Sequence, residues 1–175
     1  MKNARSKPLF SLLLIATALV LPFSASAQNP PAVAESVAFS YDLANGPKLW
    51  EEIKKHMEFR TENGDPRAWQ VYTPTLGNDL QRVVFRSCCH EWKDMDSYDE
   101  WSDENPEFRK HWRDGPGKHI NSYSHNFTII DWDNSHWGSE DGPYKLIAVT
   151  EYHVKPSHAA RFDRARRAMS QIAID

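Results

Sequence analysis

The sequence contains very little cysteine, and this limits what can hold the fold together. Its only two cysteines, Cys88 and Cys89, are neighbours in the chain. A framework of several disulfides is therefore excluded, and stability must come from a hydrophobic core. Adjacent Cα atoms lie about 3.8 Å apart, below the usual range for a disulfide. We therefore predict two free thiols, one of them buried, and regard a vicinal disulfide as the less favoured alternative.

Long apolar runs are also scarce, and the only one stands at the N-terminus. The almost entirely apolar run Leu9–Leu21 follows three basic residues, and Ala25–Ala27 has the small-residue pattern of a cleavage site. This arrangement is typical of a secretory signal peptide, and the run is shorter than the roughly 20 residues of a membrane-spanning helix. We predict a signal peptide at residues 1–27, a mature chain beginning at Gln28, and a secreted or periplasmic location without membrane attachment.

An excess of basic charge is missing as well. Acidic residues outnumber Lys and Arg by 24 to 21, and three of the basic residues lie in the predicted signal peptide. An acidic mature chain disfavours nucleic acid and anionic membranes as partners. The seven Trp, six Tyr and eight Phe indicate instead a folded domain with an aromatic core.

Most sequence motifs that would identify a reaction are absent. The chain has no glycine-rich phosphate loop, no nucleophile elbow and no Cys-x-x-Cys pair. None of the eight histidines has the spacing of a zinc-binding helix. His119 and His125 lie too far apart along one predicted strand to bind a single ion. The residues alone therefore predict no metal site and no resident cofactor.

What is present is a strand followed by an amphipathic helix. Val37–Tyr41 alternates apolar and small or polar residues, which is typical of a strand with one packed face. Gly46 and Pro47 then suit the first turn of a helix. The apolar residues of this helix recur at helical spacing: Trp50, Ile53 and Met57.

Further strands and a second helical region follow this first unit. An apolar stripe between Met95 and Trp112 predicts the helical region. The order β-α-β-β-α-β within residues 36–132 predicts an α+β fold, a ferredoxin-like antiparallel sheet with helices on one face. The remaining predicted strands are Ala68–Thr73, Leu80–His90 and Ile120–Asp131.

The strand-and-helix pattern returns near the C-terminus. We expect residues 28–35 to form an extended leader and residues 133–143 a polar linker. Residues 144–175 then repeat the pattern, with a predicted strand at Leu146–Val154 and a helix after Lys155–His158. Because one strand and one helix cannot bury a core alone, this partial second βα unit either docks on the first sheet or is the remnant of a second domain.

Alternation along the third and fourth strands places chemically useful side chains on sheet faces. In the fourth strand His125 lies between Tyr123 and Phe127 on one face. The third strand and its predicted neighbour supply a second group on one face: Arg82, Arg86, His90 and Tyr72.

If these residues line a cavity between sheet and helices, they suit an acidic or phenolic small molecule. The arginines, His90 and Phe127 would bind it, His125 would move a proton, and Tyr72 or Tyr123 would supply a hydroxyl. The alternative is that the arginines lie on a solvated face and His125 is an ordinary hydrogen-bonded residue, since charged side chains are mostly exposed.

Four stretches carry a resemblance to a known superfamily: Trp69–Pro74, Asp94–Trp101, Asn105–Arg109 and Tyr152–Phe162. The chain resembles the dimeric α+β barrel superfamily, in the neighbourhood of the antibiotic-biosynthesis-monooxygenase and NIPSNAP-like proteins. The resemblance implies sheets that pack face to face between two subunits or two tandem repeats, with a small-molecule cavity between sheet and helices. It also implies a homodimer and, among several chemistries, a cofactor-independent monooxygenase.

Two other functions stay open at this stage. The sheet face can be the interface of a non-catalytic binding or oligomerisation module, and some members of the superfamily handle haem. A fold shared by so many chemistries does not select among them.

Overall fold

A computed structural model describes residues 32–135 and 146–174. The predicted signal peptide and most of the predicted linker lie outside these ranges. Within them, no helix combines the length and the apolar character needed to cross a membrane.

The described chain forms one antiparallel sheet, and its strands follow the predicted plan. The sheet has the order β2-β3-β1-β4 and every pairing is antiparallel. This order, with helices between the strands, confirms the ferredoxin-like α+β prediction. The strands are β1 (Ala32–Ser40), β2 (Gln70–Tyr72), β3 (Arg82–His90) and β4 (Ser122–Ile130), and the helices are α1 (Gly46–Glu62), α2 (Trp92–Glu104), α3 (Pro106–Asp114) and α4 (Ala159–Ile174).

The first strand begins earlier than its sequence pattern indicated. β1 starts at Ala32 and pairs with β4 from that residue onward. Residues 32–35 are therefore part of the central strand, and their assignment to an extended leader was wrong. The consequence for the site is large, because Glu35 becomes a residue of the sheet.

The helix α1 covers the sheet with a slightly different stripe from the predicted one. Its buried residues include Leu49, Ile53 and His56, whereas Trp50 and Met57 lie at the margin of the core. Pro47 occupies the first turn, and Gly64, at φ 76°, adopts the left-handed conformation just beyond the helix end. The buried stripe of α1 is thus shifted by about one residue from the predicted stripe, and this shift brings His56 into the core.

The core lies between this helix and the two central strands. Phe39, Val83 and Phe85 contribute the sheet side. Trp112 of α3 packs on Phe39, with ring centroids 4.7 Å apart, and on Phe85 at 5.5 Å. We call the sheet face that carries these residues the helix side and the opposite face the open side. Truncation of a buried side chain here, such as Leu49→Ala, costs about 2–5 kcal/mol.

The two cysteines are joined in a disulfide, so the prediction of free thiols was wrong. Cys88 and Cys89 form a vicinal bridge within β3. The pairing of β3 with β1 shifts register at the same place, since Val33 lies opposite His90 while Glu35 lies opposite Ser87. Two steps on β1 therefore match three on β3, which is a β-bulge.

The C-terminal unit is present only in part. The predicted helix forms as α4, but residues 146–155 have no strand or helix assignment, so the predicted strand is not formed here. α4 contacts the end of β4 through Arg166, which donates to Asp131 at 2.6 Å. Side chains of β4 on the helix side remain exposed, because α1, α2 and α3 lie over the rest of the sheet.

Candidate functional site

A buried carboxylate stands at the centre of the helix side. Glu35 of β1 is 8% exposed and lies between Ser87 of β3 and Phe127 of β4 in the sheet register. A carboxylate buried in this way needs an opposite charge and several donors to compensate for lost hydration. Two neighbours provide them, Arg67 from the loop before β2 and His125 from β4.

Arg67 supplies the charge and is itself held in place. Its guanidinium donates to the second carboxylate oxygen of Glu35 and, at 3.3 Å, to the backbone carbonyl of Asp94. It also stacks over the ring of Tyr98, with the guanidinium carbon 3.7 Å from the ring centroid. The backbone N–H of Arg67 donates to Asp65 at 2.9 Å. The ion pair is thus buried and fixed in place.

His125 uses the remaining oxygen of the same carboxylate. Its Nε2 lies 2.8 Å from Oε1 of Glu35. Since an ionised carboxylate only accepts hydrogen bonds, Nε2 must carry the proton, and the lone pair of a neutral ring is then on Nδ1. The side chain is 43% exposed. A carboxylate that orients a half-exposed imidazole in this way is the arrangement of a general base.

Aromatic and apolar side chains of β4 surround this imidazole. The ring of Phe127 lies 4.8 Å from that of His125, and Trp92 lies 5.6 Å from Phe127. Tyr123 is 71% exposed and touches the core at Phe39, with ring centroids 6.3 Å apart. We call the row Tyr123, His125, Phe127 and Ile129 the β4 shelf.

His90 belongs to the helix side and not to the face on which alternation placed it. Because of the bulge at the disulfide it lies opposite Val33, and its Nε2 is 2.8 Å from Oγ of Ser87. Burial, followed by the positive charge of Arg67, lowers the pKa of His90 below its ordinary value. His90 therefore lies on the same face of the sheet as the Glu35–Arg67 pair.

The other predicted residues lie on the open side. Arg82 is opposite Ser40, Arg86 is opposite Ser36 and Gln70, and Tyr72 is opposite Val84. Residues paired in this way share a face, and that face points away from the helices. The hypothesis that all seven predicted residues line a single cavity between sheet and helices is therefore wrong. His125 has Tyr123 and Phe127 beside it, but not Tyr72, Arg82 or Arg86.

One groove nevertheless brings a residue from each group together. It has a volume of about 720 Å³ and wraps around the end of the sheet where β1 ends and β3 and β4 begin. Tyr123 borders it from the helix side and Arg82 from the open side, with Tyr41 and Asn121 between them. The groove is open to solvent and reaches one end of the β4 shelf.

A second polar cluster was missed because it is built on two helices, α1 and α3, that are far apart in the sequence. His56 of α1 is 1% exposed, and its Nδ1 lies 3.1 Å from Nδ1 of His111. Nη1 of Arg60 lies 3.3 Å from Nε2 of His56, so that nitrogen accepts and Nδ1 donates. Burial is the main cause that lowers the pKa of His56 to about 3. A ring held neutral and closed off from solvent serves structure rather than chemistry.

Sequence reasoning also missed Glu35 and Arg67, the two residues that orient His125. The signal for Glu35 was present: Val33, Val37 and Phe39 alternate around it, so a continued strand would place a carboxylate on the packed face. No local signal identifies Arg67, which reaches the site from a loop. In residues 32–135 and 146–174, no group of three or more His, Cys, Asp or Glu side chains is placed to hold a metal ion.

No protein-family model and no curated protein matches the chain. Among solved structures, the chain is similar to a crystal structure of an uncharacterized NIPSNAP domain protein from Burkholderia xenovorans. The two share 12% sequence identity with a TM-score of 0.48, and the match covers 57% of this chain and 94% of that chain. It is also similar to the crystal structure of a protein from Agrobacterium tumefaciens, with 11% identity and a TM-score of 0.42. That match covers 55% of this chain and 90% of that chain.

Proposed function

We propose that the protein binds a small, weakly acidic organic molecule on the β4 shelf and removes its proton with His125. The observation that supports this is the hydrogen bond from His125 to the buried carboxylate of Glu35. It fixes the ring and its tautomer, and leaves Nδ1 free to accept a proton. The carboxylate of Glu35, paired with Arg67, stabilises the imidazolium that forms.

The surroundings of His125 favour an aromatic or enolic substrate. Phe127 and Tyr123 offer ring faces that are exposed to solvent, and Trp92 extends this surface beyond Phe127. Rings stack in offset or edge-on contacts on such a surface. The groove at the end of the shelf adds Arg82, which suits a carboxylate or phenolate oxygen.

A cofactor-independent monooxygenase is the enzyme that would use this proton transfer. The bound anion would be the electron donor, dioxygen the oxidant, and the protein would supply the base and the apolar surface. Oxygen consumption that depends on both the substrate and His125 is the corresponding measurement.

The proton-transfer step can be tested with 4-nitrophenol, whose anion absorbs visible light. At a pH where the free phenol is mostly protonated, titration with the protein should raise the absorbance of the anion and saturate. His125→Gln should abolish this signal while circular dichroism stays unchanged. The matched control is His158→Gln, a histidine exposed beside α4. An equal signal from wild type and His125→Gln would refute the proposal.

The open side supports a second candidate, a binding or oligomerisation module. On this face the central strand β1 carries only small side chains, Ala34, Ser36, Ala38 and Ser40. Small residues along a central strand give a flat surface that another sheet can approach closely. A chain that dimerises but leaves 4-nitrophenol protonated would favour this candidate.

We also propose that the protein acts outside the cytoplasm. The basic, apolar and small-residue segments of residues 1–27 support export, and the disulfide between Cys88 and Cys89 suits an oxidising compartment. Haem binding stays a prediction of the resemblance, and hemin titration tests it.

A further inference from the structure

The groove at the end of the sheet has a floor of small side chains. On the open side, Ser40 of β1 lies opposite Arg82 of β3 and Ser122 of β4. In the next row Ala38 lies opposite Ser124, and all five residues line the groove. Because serine and alanine rise little above the strands, they leave a volume of about 720 Å³, which is within the range of pockets that hold a small organic molecule.

The strand ends that form this floor are tied together by hydrogen bonds. The backbone N–H of Tyr41 donates to the carbonyl of Gln81 at 3.2 Å, and the backbone N–H of Asn121 donates to the carbonyl of Ser40 at 2.8 Å. The hydroxyl oxygens of Ser40 and Ser122 lie 2.7 Å apart. One of these hydroxyls donates to the other, so the pair keeps one O–H to donate and further lone pairs to accept. The floor therefore offers fixed hydrogen-bonding groups to the hydroxyls of a ligand.

Tyr41 adds a hydroxyl that the fold leaves unused. Its side chain is 7% exposed, belongs to the hydrophobic core and lines the groove. Within residues 32–135 and 146–174 this hydroxyl makes no hydrogen bond, and the enclosed side-chain atom without a partner in that part of the chain is Nε1 of Trp69. The hydroxyl of Tyr41 is therefore not sealed from solvent. Since a buried tyrosine usually finds a partner for its O–H, the groove is the place where a ligand supplies one.

One cation and one carboxylate border the groove. Arg82 is half-buried and makes no ion pair with an acidic side chain of the described ranges. A guanidinium in this position can bind a carboxylate through two parallel N–H groups. The carboxylate of Asp79 lies on the rim, where it can accept hydrogen bonds from ligand hydroxyls and repels a doubly charged group such as phosphate. The charges therefore favour a ligand with a single negative charge and several hydroxyls.

Apolar surface borders the same groove. The side chains of Tyr123 and Leu80 line it and are 71% and 50% exposed. The C–H face of a sugar ring can pack on such surfaces, while its hydroxyls need the polar groups of the floor. The lining thus combines a polar floor, one cation and an apolar side.

We infer that the groove binds a sugar acid, a ring that carries several hydroxyl groups and one carboxylate. The carboxylate pairs with Arg82, and ring hydroxyls hydrogen-bond to Tyr41 and to the pair of serine hydroxyls on the floor. A neutral sugar leaves Arg82 without a partner, whereas a simple carboxylate leaves the hydroxyls of the groove unused. Binding in the groove goes beyond the proposed function and does not rest on proton transfer by His125, which lies outside the lining.

The first test compares three probes on the exported protein by isothermal titration calorimetry: D-glucuronate, D-glucose and acetate. We expect saturable binding of D-glucuronate that is at least about tenfold tighter than binding of either other probe, since each of those lacks groups that the site uses. Equal binding of D-glucuronate and either other probe would overturn the inference, and so would the absence of D-glucuronate binding.

The second test uses two arginines of one strand. Arg82→Gln should weaken D-glucuronate binding by about tenfold or more and abolish the preference over D-glucose. The matched control is Arg86→Gln, which changes an arginine on the same strand and the same face, two residues further on and outside the groove. It should bind like the wild type. Wild-type affinity in Arg82→Gln, or an equal loss in both variants, would contradict the assignment.

The third test removes only the unused hydroxyl. Tyr41→Phe keeps the ring in the core, so its Tm should equal that of the wild type, while its affinity for D-glucuronate should fall roughly fivefold, as expected for one neutral hydrogen bond. His125→Gln should bind D-glucuronate like the wild type, although it loses the 4-nitrophenol signal, so failure of this inference and failure of the proposed function give different results. Unchanged binding in Tyr41→Phe, or lost binding in His125→Gln, would place the ligand outside the groove and overturn the inference.

Discussion

Replacing Glu35 by Gln tests the arrangement on which the candidate site depends. The substitution keeps the shape of the side chain and removes its charge, so Arg67 loses its partner. The side chains of Glu35 and Arg67 are only 11% and 5% exposed. Removing one member of a buried ion pair costs about 3–5 kcal/mol, because the other charge is left without compensation. Glu35→Gln should therefore lose a large fraction of a stability that is commonly 5–15 kcal/mol.

The assay is thermal unfolding followed by circular dichroism, with urea unfolding as an independent measure. A loss of this size lowers the Tm by roughly 10 °C or more in a domain of this length. The control is Glu51→Gln, which removes a carboxylate that is 52% exposed and pairs with Lys48 and Lys55 on the surface of α1. Its Tm should stay close to that of the wild type, since exposed pairs contribute little.

A third variant separates the ion pair from other effects of the substitution. In Glu35→Gln combined with Arg67→Met the unpaired charge is gone, so part of the lost stability should return. The two changes should thus be far from additive. If Glu35→Gln unfolds at the wild-type temperature, the carboxylate does not hold a buried charge, and it is not the group that orients His125.

Three further predictions follow from other parts of the molecule. The folded state keeps His56 neutral, with a pKa of about 3 against an ordinary 6.5. Below pH 6.5 the unfolded chain therefore binds more protons than the folded chain, and the free energy of unfolding falls as the pH drops. In urea unfolding, His56→Gln should remove about 3 kcal/mol of the loss of stability between pH 6.5 and pH 4. Hemin added to the purified protein should shift the Soret band if the haem alternative holds, and His125→Gln should then weaken the shift; no shift in the wild type dismisses it. Intact-mass analysis of the exported protein should give a chain that starts at Gln28, and a chain that still starts at residue 1 would contradict cleavage of a signal peptide. Reduction of the Cys88–Cys89 disulfide should add about 2 Da, and an unchanged mass would contradict the disulfide.

The sequence predicted the four strands of the sheet well because alternation is a local property. Val37–Tyr41, the segment around Val83 and Phe85, and the β4 row from Tyr123 to Ile129 each show it without help from the rest of the chain. Their order follows from the βαββαβ plan, which allows few connections. Strand ends were less accurate, as at Ala32, because pairing with β4 extends β1 beyond its clear apolar pattern.

The site was predicted only in part because its contacts are not local. Alternation placed Tyr123, His125 and Phe127 together, and the structure agrees. It failed for His90, where the bulge at Cys88–Cys89 moves every later side chain of β3 to the other face. It also failed for the arginines: the one that reaches the site, Arg67, comes from a loop, whereas Arg82 and Arg86 lie behind the sheet.

The described chain leaves one strand of its sheet uncovered. Three helices, α1 to α3, cover three strands, and the fourth strand keeps Tyr123, Phe127 and Ile129 in solvent. A ferredoxin-like sheet that stands alone would bury these side chains, since exposed apolar rows lower solubility and invite pairing. The chain carries one further helix and one further apolar segment, each with exposed apolar side chains of its own. The exposure that leaves β4 uncovered also keeps the side chain of His125, 43% exposed, open to a ligand, which the proposed proton transfer requires.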